Sequence, residues 1–180
     1  MAIQPRHRRE PSRASYGWNT LVFDRFRREH FDEYLAWFVD PELNRRLGPM
    51  DDEWLTAILG ETDEQGITWA VFVGSELVGV VETVFGSDLP CAITAIAVKP
   101  AWRRQGLGRA MLRRLFADYR ARGFEAYLAY VEQTNVAASK LLLDEGFRAV
   151  SVPNDKGFVE FRRIESTAGG WARSGQSHEA

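Results

Sequence analysis

The sequence predicts an α/β fold: a mixed, mostly antiparallel sheet with helices on both faces. A strand, a helix and a second strand follow one another in the middle of the chain, which favours a parallel pair with a right-handed crossover. The strands on either side are joined by hairpin-like connections, which favours antiparallel neighbours. The chain has 180 residues, 45% of them hydrophobic, which suits one domain with its own core.

The first half of the chain predicts a strand and two helices. The strand covers residues 20–24. The first helix has an apolar stripe with i, i+3, i+4, i+7 spacing, formed by Phe31, Tyr34, Leu35 and Phe38. Pro41 is expected to end it, because the residue before a proline avoids the helical region. A second helix is expected from Asp51 to Gly60.

The second half changes to the period of strands, with two further helices between them. The predicted strands cover residues 67–73, 77–85, 91–98, 124–131, 147–152 and 158–164. The last two are expected to form a closing antiparallel pair. One helix is expected from Leu107 to Arg122, and another from its N-cap Asn135 to Gly146.

The two ends of the chain differ in composition from the middle. Residues 1–15 are rich in Arg and Pro and predict a disordered basic arm. Residues 166–180 predict a flexible tail, which leaves residues 16–165 as a single domain.

Composition excludes several classes of protein. The net charge of −2 supports neither a nucleic-acid binder nor a membrane-surface binder, although the basic arm keeps nucleic-acid binding as a minor alternative. Cys91 is the only cysteine and lies in an apolar run, which is typical of a small buried side chain. The histidines are scattered, so no metal site is expected. Neither a signal peptide nor a membrane span is evident, so the expected location is the cytoplasm.

The segment of the sequence that best indicates a ligand site is a basic, glycine-containing stretch at residues 95–111. A buried strand ends at Pro100, and a short loop leads to Gly106 and Gly108 at the start of a helix. The first amides of a helix lack internal partners and carry partial positive charge, and glycine lets a ligand approach the backbone. These features predict a pyrophosphate site. The residues that follow match neither a Walker A loop nor a dinucleotide fingerprint.

Two motifs in this half resemble those of the GNAT family of N-acetyltransferases. Residues 103–108, RRQGLG, resemble the Arg/Gln-x-x-Gly-x-Gly/Ala loop of that family, and the strand before them also matches. Downstream, Asn135 and Ala138 followed by Gly146-Phe147 are similar to the family's Asn-x-x-Ala segment and Gly-Phe. Two motifs in the right order are more specific than either alone.

The resemblance implies a GNAT-type sheet whose central parallel pair splays apart to bind acetyl-CoA, without a metal. The implied CoA-binding residues are Ile96, Ala97, Val98, Arg103, Arg104, Gln105, Gly106, Leu107, Gly108, Arg109 and Asn135. In that interpretation the strand backbone and Asn135 bind the pantetheine arm, and the amides of residues 104–109 bind the pyrophosphate with added charge from Arg103. An ordinary helix N-cap is the other interpretation of Asn135.

The chain departs from the family pattern at the positions that carry proton transfer. Leu142 stands where many relatives have a Tyr that protonates the CoA thiolate. Ala92 and Tyr130 stand where relatives have a Glu that acts as a base. Either another group supplies the proton, or the thiolate leaves without one.

Three residues are therefore predicted to be catalytic. Glu82 lies in an otherwise apolar strand, and a half-buried carboxylate gains a raised pKa that suits a base; a solvent-facing strand residue is the alternative. Tyr130 is a candidate active-site hydroxyl or, alternatively, a packing residue. The backbone amide of Val98 is the candidate oxyanion donor. Glu132 is a weaker third candidate for the base.

The predicted reaction is direct attack of a primary amine on acetyl-CoA, with no covalent enzyme intermediate. Residues 28–60 and 150–160 are expected to form the acceptor wall. The acceptor stays open between a protein N-terminus, a lysine side chain, a polyamine and a small antibiotic-like amine. The fold analogy allows a homodimer. A catalytically silent acyl-CoA-binding regulatory module is the alternative function.

Overall fold

The computed structural model describes residues 20–86 and 89–165. The predicted basic arm, residues 1–15, and the predicted tail, residues 166–180, lie outside these ranges.

The described residues form one sheet of seven strands with helices on both faces, as predicted. The strands are β1 (Leu21–Arg25), β2 (Gly66–Val73), β3 (Glu76–Gly86), β4 (Leu89–Val98), β5 (Ala126–Glu132), β6 (Arg148–Ala149) and β7 (Phe158–Ile164). The helices are α1 (Arg28–Leu35), α2 (Pro41–Leu47), α3 (Asp52–Gly60), α4 (Leu107–Ala121) and α5 (Val136–Asp144). No helix in the described parts is long and apolar enough to span a bilayer.

The strand order is β1-β2-β3-β4-β5-β7-β6, and every neighbouring pair is antiparallel except β4 and β5. That parallel pair is short. Its register runs from Cys91 opposite Tyr127 to Ile93 opposite Ala129 and then stops, although β4 continues to Val98 and β5 to Glu132. The two strands therefore separate at their carboxyl ends, as the resemblance implied.

Each face of the sheet has its own hydrophobic core. On one face, α4 packs Met111, Leu112 and Leu115 against the sheet, and all three are buried. On the other face, an aromatic cluster from the N-terminal helices includes Tyr34 and Trp37. The central strands therefore pack against side chains on both faces of the sheet.

The prediction that the first helix ends before Pro41 is confirmed, but the helix that begins at Pro41 was not predicted. The first helix does end before it, because α1 stops at Leu35 and continues only as a 3-10 turn to Val39. However, Pro41 also begins α2, with the Asp40 side chain accepting a hydrogen bond from the amide of Leu43. Proline is well suited to the first turn of a helix, where its missing N–H is not needed.

The predicted closing pair was right in direction but too long. Strand β6 contains only Arg148 and Ala149, whereas a strand over residues 147–152 was expected. Val150 and Val152 are β-branched residues that favour a strand by propensity. Both are exposed, so no packing against a neighbouring face stabilises a strand there.

Candidate functional site

A cleft of about 880 Å³ opens where β4 and β5 separate. Its walls come from α2, α4 and α5, and its floor comes from the two strands. Nine of the eleven residues predicted to bind CoA line it, namely Ile96, Val98, Arg103, Arg104, Gly106, Leu107, Gly108, Arg109 and Asn135. The sequence prediction thus converges on one place, although Ala97 and Gln105 do not line this cleft.

The register of β3 and β4 decides which backbone groups of β4 face the cleft. The amide of Lys99 donates to the carbonyl of Val78 at 3.0 Å, so Lys99 points its backbone toward β3. In an antiparallel pair successive residues alternate in this respect. The N–H groups of Val98 and Ile96 therefore point into the gap, whereas Ala97 directs its backbone toward β3 and has a buried side chain.

The backbone groups of β5 alternate in direction in the same way. The amide of Gln133 donates to the carbonyl of Gly157 at 2.8 Å, which places odd-numbered residues of β5 toward β7. Tyr130 and Glu132 then direct their backbone groups toward β4 and the gap. The carbonyls of Val98 and Glu132 accept hydrogen bonds from Nε of Arg103 and from the amide of Asn135, so an extended ligand in the gap would meet mainly the N–H groups of the two strands.

The N-terminus of α4 forms the basic end of the cleft. Its N-cap is Gly106, which has no side chain to accept from the first helical amides, whereas α2, α3 and α5 are capped by Asp40, Asp51 and Asn135. The backbone is left-handed at Arg104 (φ 61°) and Gly106 (φ 82°), a geometry found where successive N–H groups converge on an anion. The uncapped amides and the helix dipole suit a pyrophosphate.

Gly108 keeps the space beside these amides open. A Cβ placed there would lie 3.3 Å from Cδ2 of Leu141 on α5 and 3.8 Å from Cγ2 of Val98 on β4. A side chain would therefore fill the passage between α4 and α5. The close approach of Leu141, rather than the backbone angle, favours a small residue at this position.

Two of the predicted basic residues already have acidic partners. The guanidinium of Arg103 binds the Asp40 carboxylate at 3.1 Å, and its Nε donates to the Val98 carbonyl at 3.3 Å. Arg103 holds the pKa of the Asp40 carboxyl below its usual range. Arg109 pairs with Asp144 at 2.8 Å and with Glu145 at 2.9 Å. Arg104, which is exposed, lines the cleft beside the uncapped amides.

The two interpretations of Asn135 turn out to be compatible. Its side-chain oxygen accepts from the amide of Ala138 at 3.2 Å, so Asn135 is an N-cap. The side chain also lines the cleft, where its NH₂ group is a donor. Gln105 differs, because its amide nitrogen turns back to the Ala101 carbonyl at 3.1 Å.

Helix α2 bridges the cleft and is tied at both ends. Asp40 at its start binds Arg103 of the glycine loop. Arg46 near its end binds Glu132 of β5 and donates to the hydroxyl of Thr134 at 2.9 Å. Arg45 adds a second contact to Glu132 at 3.2 Å. These acids and bases neutralise one another, so the wall itself presents little net charge.

Glu82 lies on β3, on the face covered by α1 and α3, and is half-buried. Burial and, to a smaller extent, the charge of Glu61 raise the pKa of its carboxyl to about 7, while hydrogen bonding with Trp54 opposes the shift. Glu82 does not line the cleft, but its cross-strand partner Ala95 does.

Tyr130 lines the cleft and is exposed, so the packing interpretation is wrong for it. Its hydroxyl donates to the Glu160 carboxylate on β7 at 3.0 Å. This hydrogen bond raises the pKa of Tyr130 and, after the larger effect of Arg162, helps to lower the pKa of Glu160. Tyr130 is thus held as a neutral hydroxyl.

Two positions contribute no proton-transfer group. The Leu142 side chain is buried in the core beneath the cleft. Cys91 is fully buried, and burial raises the pKa of its thiol to about 12, which excludes a ready nucleophile.

Within residues 20–86 and 89–165, no group of three or more His, Cys, Asp or Glu side chains is placed to hold a metal ion.

Reasoning from the sequence missed Asp40, Arg46 and Glu160. Asp40-Pro41 is a recognisable helix start, an N-cap followed by proline at the first turn, and that signal could have placed α2. The contacts of Arg46 and Glu160 join segments 86 and 30 residues apart, so no local pattern indicates them.

A splayed parallel pair beside an uncapped, glycine-led helix defines the class of proteins that bind an acyl-CoA in this gap. The sequence profile of the Acetyltransferase (GNAT) family matches residues 18–147. The chain belongs to the GNAT acetyltransferase family, whose members transfer an acyl group from acyl-CoA to an amine. No curated protein sequence matches the chain.

Solved structures share this fold at low sequence identity. An acetyltransferase from Thermus thermophilus superposes with a TM-score of 0.70 at 19% identity, covering 81% of this chain and 97% of that one. The ribosomal-protein-S18-alanine N-acetyltransferase from Escherichia coli gives 0.63 at 21%, covering 83% and 96%. A Salmonella typhimurium acetyl transferase that modifies the N-terminal serine of 50S ribosomal subunit protein L7/L12 gives 0.71 at 14%, covering 82% and 96%.

Proposed function

We propose that this protein transfers an acetyl group from acetyl-CoA to a primary amine by direct attack, without a covalent enzyme intermediate. One observation carries the proposal. The pairing of β4 with β5 stops at Ile93 and Ala129, next to the uncapped amides of α4, so a strand-like arm and a pyrophosphate have adjoining sites.

Acetyl-CoA fits the chemistry of this cleft. The amides of residues 104–109 would hold the pyrophosphate, with Arg104 as the nearest exposed charge. The pantetheine arm would hydrogen-bond Ile96 and Asn135, in the space that Gly108 leaves open. Arg103 would act mainly by fixing the loop, because Asp40 and the Val98 carbonyl already occupy its donors.

The chain needs to supply little for the bond change itself. The amine nitrogen attacks the thioester carbonyl, and collapse of the tetrahedral intermediate breaks the bond between carbon and sulfur and releases CoA. The N–H of Val98 points into the gap and would stabilise the oxyanion. Since Leu142 offers no acid, the thiolate would leave without a proton from that position.

The proton of the attacking amine would pass to Glu82. A carboxylate with a pKa of about 7 is a better base near neutral pH than an ordinary glutamate. Glu132 is less suited, because hydrogen bonds from Thr134 and Arg46 lower its pKa. Tyr130 would hydrogen-bond the acceptor, since Glu160 keeps its hydroxyl protonated.

One structural neighbour is named for an alanine of ribosomal protein S18, and another modifies the N-terminal serine of ribosomal protein L7/L12. A peptide with a free α-amine is therefore the first acceptor to test here, ahead of lysine side chains, polyamines and small amines. The cytoplasmic location and the homodimer remain predictions from the sequence.

The alternative is a catalytically silent acyl-CoA-binding regulatory module. The observation that favours it is the absence of the relatives' proton-transfer side chains at Ala92 and Leu142. It predicts binding of acetyl-CoA without turnover.

Thermal unfolding with and without acetyl-CoA, combined with an assay for released CoA thiol on an amine panel, tests both functions. A ligand that binds only the folded state stabilises it by about 2.7 kcal/mol at a hundredfold excess over its Kd. A rise in Tm that replacement of Arg103, Gly106 and Gly108 abolishes supports the site, and thiol release then separates the enzyme from the silent module. An unchanged Tm at saturating acetyl-CoA contradicts both functions.

A further inference from the structure

A second carboxylate lies beside Glu82. Glu61 caps the C-terminus of α3, and its Oε2 accepts from the hydroxyl of Thr68 at 3.4 Å. Thr68 lies on β2 directly opposite Glu82 of β3 and is buried. The hydroxyl of Thr68 therefore holds one carboxylate next to the cross-strand position of the other.

The groups around this pair come from every element packed on it. Tyr34 approaches from α1, where its hydroxyl is buried without a hydrogen-bond partner among the described residues, and Trp54 faces Glu82 from α3. On the far side of Glu61, Arg25 of β1 donates to the Glu61 backbone carbonyl at 2.6 Å and also binds Asp63. Burial raises the pKa of the Glu61 carboxyl, and the Thr68 hydroxyl and the Arg25 charge oppose that rise. Asp63 shares the charge of Arg25.

We propose that Glu61 is a positioning residue for acyl transfer: a negative charge fixed by Thr68 that makes Glu82 a stronger proton acceptor. This inference rests on the proposed function, in which Glu82 takes the proton of the attacking amine. Two carboxylates at close range resist simultaneous ionisation, so the first proton binds more tightly than it would to either group alone. Burial and the charge of Glu61 both raise the pKa of Glu82, with burial the larger effect.

The arrangement has a consequence for turnover. When Glu82 takes a proton from the amine, the repulsion between the two carboxylates is relieved, which favours the transfer. Glu61 lies one strand farther from the cleft than Glu82, beyond Thr68 of β2, so it would act through Glu82 and not on the acceptor. Removing its charge should weaken the base without removing it.

The test compares Glu61→Gln with Glu64→Gln, which removes one exposed charge from the same loop. The first readout is the pH dependence of kcat/KM, and the second is direct NMR titration of the Glu82 carboxyl carbon in protein without substrate, assigned with Glu82→Gln. Glu61→Gln should move both midpoints to lower pH and reduce the plateau rate, whereas Glu64→Gln should leave both midpoints in place. Thr68→Val should move them in the same direction, and Thr68→Ser, which keeps the hydroxyl, should restore them.

The two proposals fail in different ways. An unchanged Glu82 titration in Glu61→Gln overturns the inference about Glu61, whatever the activity. Full activity in Glu82→Gln overturns the assignment of Glu82 as the base, even if the NMR titration shows that Glu61 and Glu82 are coupled.

Discussion

Glu82 and Ala95 are directly opposite each other in the antiparallel pair of β3 and β4. Side chains in this relationship share one face of the sheet, with Cβ atoms about 5 Å apart. Ala95 lines the cleft and Glu82 does not. In the proposed function, the methyl group of Ala95 would therefore lie between the Glu82 carboxylate and the attacking amine.

Enlarging Ala95 should separate the base from its substrate. Ala95→Leu is expected to lower kcat/KM for the amine by at least about tenfold, since misplacing a catalytic group by about 1 Å can cost about a hundredfold. The rise in Tm with acetyl-CoA should persist. Val84→Leu, on the same face of β3 but outside the cleft, is the control. Equal rates in both variants would show that Glu82 does not act across Ala95.

Loss of the Glu82 carboxylate should remove general-base catalysis. Glu82→Gln is expected to lower kcat by roughly 10²- to 10⁴-fold. In the unmodified protein kcat/KM should rise with pH through about 7, because only the ionised carboxylate accepts a proton. A steady-state pH profile measures both effects. A wild-type profile that is flat between pH 5 and 8 would contradict the assignment.

The same substitution should stabilise the fold at alkaline pH. The pKa of Glu82 is raised in the folded state from 4.5 to about 7, so the folded protein binds more protons than the unfolded chain between these values. Stability is therefore lost as pH rises through this window, by on the order of 3 kcal/mol. Glu82→Gln removes that loss, so its advantage in urea unfolding should be larger at pH 8 than at pH 4. An advantage of the same size at both values would contradict the prediction.

A side chain at Gly108 should obstruct CoA. Gly108→Val would place atoms against Leu141 and Val98 in the passage between α4 and α5. The expected result is a Kd for acetyl-CoA raised by about tenfold or more, which corresponds to about 1.4 kcal/mol of lost binding. Isothermal titration calorimetry measures it. Gly60→Ala is the control, because a Cβ at Gly60 meets no atom within 4 Å.

Reversing the charge of Arg104 should weaken pyrophosphate binding. Arg104→Glu is expected to raise the KM for acetyl-CoA several-fold, and more at low ionic strength, because exposed charges are screened by salt. Arg114→Glu is the control, since Arg114 pairs with Asp118 one turn along α4 and does not line the cleft. If both reversals act alike, net charge rather than a local contact is responsible.

The amino-acid sequence alone was enough to predict the fold class, most of the helices and strands, and the glycine-led end of the cleft. Those conclusions rest on local signals. Hydrophobic period distinguishes β3 from α4, and the RRQGLG segment marks a helix start whose amides stay uncapped. A phosphate site made of consecutive backbone amides is visible in sequence because its parts are contiguous.

The surroundings of the proposed base and of the strand gap could be read only from the folded chain. Whether Ala97 or Val98 faces the gap depends on the register with β3, and a shift of one residue would exchange them. Likewise, the sequence made Glu82 a candidate base, but its neighbour Glu61 is evident only because the end of α3 packs against Thr68. Burial, strand register and long-range ion pairs depend on contacts between distant segments of the chain, so a short sequence pattern does not predict them.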